Sequence, residues 1–165
     1  MLKKLAFGNI TELEKYIQTI GEDDQWKLFE SIKVLEDEID LTVDEILLLN
    51  ILEYISHEKL VEILELIYDK LRSGAKLLIK VPDMEWLSKQ IIRFETGQIL
   101  SGKYVDFEGE KGLQTLVYGD EQAPIQSCFT RLSLWELLDG VGFEKIKIEQ
   151  IEETIGILSA KCIKP

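Results

Sequence analysis

Between Val43 and Asp83 the hydrophobic pattern changes from continuous to helical and back to continuous. Val43-Asp44-Glu45-Ile46-Leu47-Leu48-Leu49 is an apolar run that stops at Asn50, as a buried strand does. Ser56 then opens a segment with apolar residues at Leu60, Ile63, Leu64, Ile67 and Leu71, one face of a helix. Gly74 is the expected stop. Lys76-Leu77-Leu78-Ile79-Lys80-Val81 forms the next apolar run and ends at Pro82-Asp83. Two buried strands joined through a helix imply a parallel sheet with a right-handed crossover. Such sheets bind ligands beyond the carboxyl ends of their strands, which places Asn50 and Asp83 at the functional edge.

The flanks continue the alternation. Lys3 to Phe7 reads as a first strand, and Thr11-Glu12-Leu13-Glu14 fits a capping box with Thr11 as the cap. The helix that follows buries Leu13, Tyr16, Ile17 and Ile20 and ends at Gly21. Trp26 to Ser31 is a candidate second strand. Ile32 to Leu41 fits neither a period of 2 nor one of 3.6. Met84 to Phe94 reads as a helix with Trp86, Leu87, Ile91 and Phe94 inward. Gly97 to Pro124 is rich in Gly and polar residues and too long for a plain connector, so it reads as a cover loop, with Tyr104, Phe107 and Tyr118 able to line a pocket or anchor the loop. Ser133-Leu134-Trp135-Glu136 fits a second capping box. Leu134, Leu137 and Leu138 are then inward, Trp135 packs with the helix, and Gly140 or Gly142 is the stop. Phe143 to Glu152 alternates with a period of 2, and Ile155 to Ile163 is more continuously apolar. The polar pair Glu153-Thr154 between them predicts an antiparallel hairpin.

Composition narrows the chemistry. The 165 residues suit one domain spanning residues 1–165. A net charge of −12, with carboxylates spread along the chain, argues against nucleic-acid and membrane-surface partners, which recruit clustered Lys and Arg. No apolar run reaches the roughly 18–20 residues of a membrane span. The segment Met1 to Asn9 is too short in apolar residues for a signal peptide, so a cytoplasmic protein is expected. The cysteines are Cys128 and Cys162 and the one histidine is His57, too few for a zinc site, and no metal is expected. Cys162 lies in an apolar strand, Cys128 in a loop, and His57 reads as an exposed first-turn residue.

This order of elements resembles a class I S-adenosylmethionine-dependent methyltransferase. Val43 to Leu49 followed by Asn50-Ile51-Leu52-Glu53-Tyr54-Ile55 is similar to the stretch where that family often carries Val-Leu-Glu-His-Ile after its fourth strand. Leu64 to Asp83 is similar to the family's helix, turn and fifth strand ending in Val-Pro-Asp. Phe129-Thr130-Arg131 through Gly142-Phe143 is similar to its late helix and Gly-Phe entry to the sixth strand. The resemblance implies an α/β, three-layer Rossmann-like fold: a mostly parallel sheet ending in an antiparallel hairpin. It implies S-adenosylmethionine as cofactor and a small molecule or metabolite as methyl acceptor.

The resemblance places the cofactor-binding residues at Phe7, Gly8, Asn9, Glu30 and Asn50. Phe7-Gly8-Asn9 stands where the family has a glycine-rich loop, with a single glycine present; an ordinary strand-to-helix turn is the competing reading. Glu30 is the candidate acid for the ribose hydroxyls, with Glu36 and Asp37 as alternatives. Asn50 stands where many relatives carry His, and Gln126 and Ser127 stand where a late His is expected. Asn50 can equally be a turn or cap residue, and Asp83 can equally cap the next helix. The segment between the first strand and Val43 is short, so a reduced sheet is expected. Methyl transfer from a sulfonium relies mainly on positioning, so no catalytic residue is assigned. The alternative is a non-catalytic relative with a degraded cofactor site, acting as a binding or partner subunit; association as a homodimer or with a partner protein stays open. Another doubly wound domain is a weaker reading, because the terminal hairpin and the missing nucleotide fingerprint speak against it.

Overall fold

The computed structural model describes residues 3–21, 26–37, 43–96, 118–119, 123–151 and 156–165. The strands are β1 (Lys4–Phe7), β2 (Trp26–Phe29), β3 (Val43–Leu49), β4 (Leu71–Pro82), β5 (Glu144–Ile151) and β6 (Ile157–Ile163). The helices are α1 (Ile10–Ile20), α2 (Val34–Asp37), α3 (His57–Lys70), α4 (Met84–Glu95) and α5 (Arg131–Val141), with a 3-10 turn at Leu52–Tyr54. The strands form one sheet in the order β2-β1-β3-β4-β6-β5. β2, β1, β3 and β4 are parallel; β6 runs antiparallel to β4 and β5 antiparallel to β6. The α/β architecture and terminal hairpin are as the residue pattern implies. The polar pair Glu153-Thr154 at the hairpin turn lies outside the described residues.

Side chains alternate between two cores, which makes the fold three layers. On one face Ala6, Leu47 and Leu49 pack with Leu13 and Ile17 of α1. On the other, Leu5, Phe7, Ile46, Leu48, Leu77, Ile79 and Val81 pack with Leu60, Leu64 and Ile67 of α3 and Leu134 and Leu138 of α5. Cys162 is buried in this second core, and His57 is exposed at the start of α3. Glu45, a charge inside the apolar run of β3, sits opposite Lys4 in the β1 register, and the two pair at 3.1 Å. A buried charge with a partner at this distance costs far less than one without.

Several boundaries differ from the pattern read along the chain. The cap of α1 is Asn9, not Thr11: the Asn9 side chain accepts from the Glu12 N–H, and the helix starts at Ile10. The cap of α5 is Thr130, with Ser133 as the third helical residue closing a reciprocal capping box. Helix α3 ends at Lys70, before Gly74. Leu71 is already in β4, opposite Val43, and Gly74 donates its N–H to the Lys164 carbonyl within the sheet. The Lys164 ammonium donates to the carbonyl of Tyr68, capping α3 from outside. Ile32 to Leu41 contains the short helix α2. Ile20 was expected inward and Trp135 in helix packing; both are about 40% exposed. Most of Gly97 to Pro124, including Tyr104 and Phe107, and the side chain of Phe94 lie outside the described residues; Tyr118 is exposed.

Asp83 has a structural task. Its carboxylate accepts from the Glu85 N–H at the start of α4 and from the Gln150 side chain of β5, and its own N–H donates to the Gly156 carbonyl. It therefore joins the end of β4, α4 and the terminal hairpin. Asp83→Ala removes the cap and leaves the Gln150 amide without its acceptor, so the folding free energy falls by about 2–4 kcal/mol. Urea unfolding, with the midpoint falling at constant m-value, is the measurement that checks this. Gly8 has a positive φ of 151°, and a Cβ there would lie 2.4 Å from the Leu49 carbonyl oxygen. Gly8→Ala accordingly costs about 1–3 kcal/mol, seen in calorimetry as a melting temperature lower by roughly 2–4 °C per kcal/mol.

Candidate functional site

The carboxyl ends of β2, β1, β3 and β4 open onto one cleft of about 580 Å³, within the range of small-molecule sites, about 300–1,000 Å³. Sheet order fixes its layout. Glu30 follows β2, Gly8 and Asn9 follow β1, and Asn50 and Ile51 follow β3. Pro82 ends β4 and Asp83 follows it, and Gly156 precedes Ile157, the first residue of β6. The walls are Glu12 of α1, Glu53 and Tyr54 of the 3-10 turn, Trp86 and Leu87 of α4, and Ala123 and Ile125.

Gly8, Asn9, Glu30 and Asn50 of the sequence-derived site all line this cleft. Phe7 does not: its ring is fully buried on the α3 side and stacks on Phe29 with centroids 5.3 Å apart. Strand alternation points its side chain into the core. Gly8 lets β1 pass close to the end of β3, and Asn9 turns the chain into α1 so that the first-turn N–H groups of the helix stand beside the cleft. Glu30 is exposed and directly follows β2, whereas Glu36 and Asp37 stand further on, at α2. Asn50 holds a left-handed conformation at φ 48°, which Asn tolerates better than most residues. Its N–H donates to the Lys80 carbonyl, its side-chain amide donates to Glu12, and its Oδ1 is buried without a hydrogen-bond partner.

Glu53 was not singled out in the sequence, and it is the most unusual group in the cleft. It is 3% exposed, and its Oε2 has no hydrogen-bond partner. The burial comes from residues 125–128, which fold back over the turn. Gln126 and Ser127 donate their N–H groups to the Glu53 carbonyl, the Gln126 side chain donates to the Tyr54 carbonyl, and the Ser127 hydroxyl donates to the Ile55 carbonyl. Gln126 and Ser127, where the resemblance expects a histidine, thus act as a clamp on the turn. Burial lifts the Glu53 carboxyl to about 7; its own backbone N–H opposes the rise and the charge of Glu12 adds to it. Two signals were available: a lone acid inside the apolar segment Ile51-Leu52-Glu53-Tyr54-Ile55, and its match to the Glu of the Val-Leu-Glu-His-Ile stretch that this segment resembles. Trp86 was assigned to helix packing, but its half-buried indole lines the cleft against Gly156, where a Cβ would strike the ring at 2.4 Å. Among the described residues no group of His, Cys, Asp and Glu could hold a metal ion. Cys128 is a free thiol outside the cleft, its pKa raised by partial burial, and it faces only a small neighbouring cavity.

No family model and no curated protein matches this sequence. Solved structures do match in fold. A SAM-dependent methyltransferase from Archaeoglobus fulgidus superposes with a TM-score of 0.63 at 14% identity, covering 99% of this chain and 86% of that one. Human N-acetylserotonin methyltransferase in complex with SAM gives 0.60 at 14% identity, over 98% of this chain and 47% of that one. PigF with SAH gives 0.55 at 16% identity, over 99% and 56%. This chain therefore spans about half the length of the latter two. At such identities the likeness concerns the fold, and it agrees with the strand order and the antiparallel end of the sheet: the chain has the class I S-adenosylmethionine-dependent methyltransferase-like fold.

Proposed function

We propose that this protein is an S-adenosylmethionine-dependent methyltransferase acting on a small molecule or metabolite. The observation that carries the proposal is the convergence of Gly8, Asn9, Glu30 and Asn50 on an open cleft at the carboxyl ends of parallel strands, with Asn50 Oδ1 buried and unpartnered. Ligands of open α/β sheets bind in this crevice. The non-catalytic alternative expects a blocked cleft and is not favoured, because the space beside Gly8 and Asn50 is open. The single glycine also has a local reason that is independent of any ligand, the close approach of Leu49.

When bound, S-adenosylmethionine supplies a methyl group on a sulfonium. In this reading the Glu30 carboxylate accepts from the ribose hydroxyls, and the unpartnered Asn50 Oδ1 offers a further polar contact. The acceptor half of the cleft then lies toward Trp86, Ile125 and Ile157. The residues act by holding the two reactants in line and excluding water, which supplies much of the acceleration in such a transfer. We read residues 1–165 as one domain working in the cytoplasm. No described helix could cross a membrane, and the charge of −12 disfavours nucleic acid.

Isothermal calorimetry with S-adenosylhomocysteine tests the proposal. Binding is expected, with a melting temperature raised by roughly 5–10 °C at a hundredfold excess over Kd. Absence of both heat and thermal shift at millimolar ligand overturns it. Glu30→Ala is expected to weaken that binding about tenfold, the loss of one charge-assisted hydrogen bond, while leaving the ligand-free melting temperature unchanged because Glu30 is exposed.

A further inference from the structure

We propose that the acceptor half of the cleft takes an organic amine, bound as its ammonium with Glu53 as counter-charge and Trp86 as aromatic wall; a nitrogen that itself takes the methyl first passes its proton to the Glu53 carboxylate. This rests on the methyltransferase reading for which half of the cleft is the acceptor's. The chemistry of the pocket supports it independently. Every charged residue among the described lining is acidic: Glu12 of α1, Glu30 after β2, Glu53 of the 3-10 turn and Asp83 at the end of β4. An anionic acceptor such as a carboxylate or phosphate ester would meet no cation among the described lining residues.

The four acids are not equivalent. Asp83 spends both oxygens on Glu85 and Gln150. Glu12 accepts from Asn50, and Glu30 is open to solvent. Glu53 alone is buried with an oxygen that has no partner, and a buried polar atom left in that state costs free energy until something donates to it. An ammonium donates three hydrogen bonds and carries the charge that a buried carboxylate needs. Trp86 also lines the cleft, with its indole packed against Gly156, and a cation seated over the ring's other face would gain about 0.5–2 kcal/mol.

The titration of Glu53 gives the proposal a signature. Glu12 of α1 is the charge that acts on it, and the other titratable residues that line the cleft or the neighbouring cavity with it are Glu30, Tyr54, Asp83 and Cys128; among the described residues of that lining none is cationic. Its carboxyl stands at about 7, so it is mostly neutral at pH 6 and mostly ionised at pH 8. The ammonium binds the ionised form, so amine affinity rises with pH through this window. The sign for folding is the reverse. A raised carboxyl pKa contributes stability at low pH that is lost as pH rises from about 4.5 toward 7.

The experiment measures binding of 2-phenylethylamine, 2-phenylethanol and 3-phenylpropionate to wild type and Glu53→Gln by calorimetry. It is run at pH 6 and pH 8, with and without saturating S-adenosylhomocysteine. The expected result is amine binding about tenfold tighter at pH 8 than at pH 6 and preferred over the alcohol by at least tenfold, with no propionate binding. In Glu53→Gln the amine preference and its pH dependence are both lost. Thermal melting serves as the fold control: the variant should match wild type at pH 5 and melt higher than it at pH 8. Equal affinity for amine and alcohol, absence of amine binding to wild type, or pH dependence surviving in Glu53→Gln would each overturn the proposal. Failure of S-adenosylhomocysteine to bind, with amine binding intact, would instead count against the cofactor reading alone.

Discussion

The site depends on the in-register parallel pairing of β1, β3 and β4. Phe7 stands beside Leu48, and Leu48 beside Ile79; β3 ends one residue and β4 three residues beyond that level. Parallel strands cannot return by a tight turn, so each ends at the same rim and the chain leaves it through a helix. That geometry produces a shared crevice without any side chain specifying it. It also explains Gly8, whose Cβ would collide with the Leu49 carbonyl oxygen, and Asn50, whose N–H is held by the Lys80 carbonyl. Apolar packing on both faces, α1 on one and α3 with α5 on the other, keeps the pairing dry and the register fixed.

The crevice is then closed by chain that arrives from far away in sequence. Residues 125–128 fold over the turn at Leu52–Tyr54 through hydrogen bonds between groups 72 residues apart. Asp83 ties the end of β4 to the terminal hairpin through Gln150 and Gly156. These contacts convert a generic strand-end groove into a cleft with an acidic wall, and they are the reason Glu53 is buried. The cleft is therefore lined on one side by the clamp, the 3-10 turn and the start of the hairpin, and on the other by the ends of β1, β2 and β3.

The unit from Val43 to Asp83 and the terminal hairpin were legible from the residues because their periodicities are local: a run of seven apolar-rich positions, a stripe at three and four, an alternation of two. Boundaries were less legible. Asn9 and Thr11, or Thr130 and Ser133, are all competent caps, and the choice falls to the residue whose backbone is extended as the chain leaves the preceding segment. The end of α3 was misplaced because sheet pairing draws Leu71 into β4 opposite Val43 before Gly74 is reached. Gly8, Asn9, Glu30 and Asn50 could be placed at the cleft because a strand end is a sequence position. Phe7 stands one residue earlier, and alternation turns its side chain into the core. Glu53 was missed because a single acid in a short apolar stretch has the same pattern whether it faces water or is covered.

Sequence alone determined the parallel crossover, the antiparallel tail, the two apolar faces of the sheet and the rim at which polar residues collect, since each follows from the spacing of neighbours along the chain. Tertiary structure alone decided which of the acids is buried, which is spent on capping, and that Trp86 faces a cleft instead of a helix. Those properties depend on what packs against a residue, and in this protein the packing partners come from segments about 70 residues away.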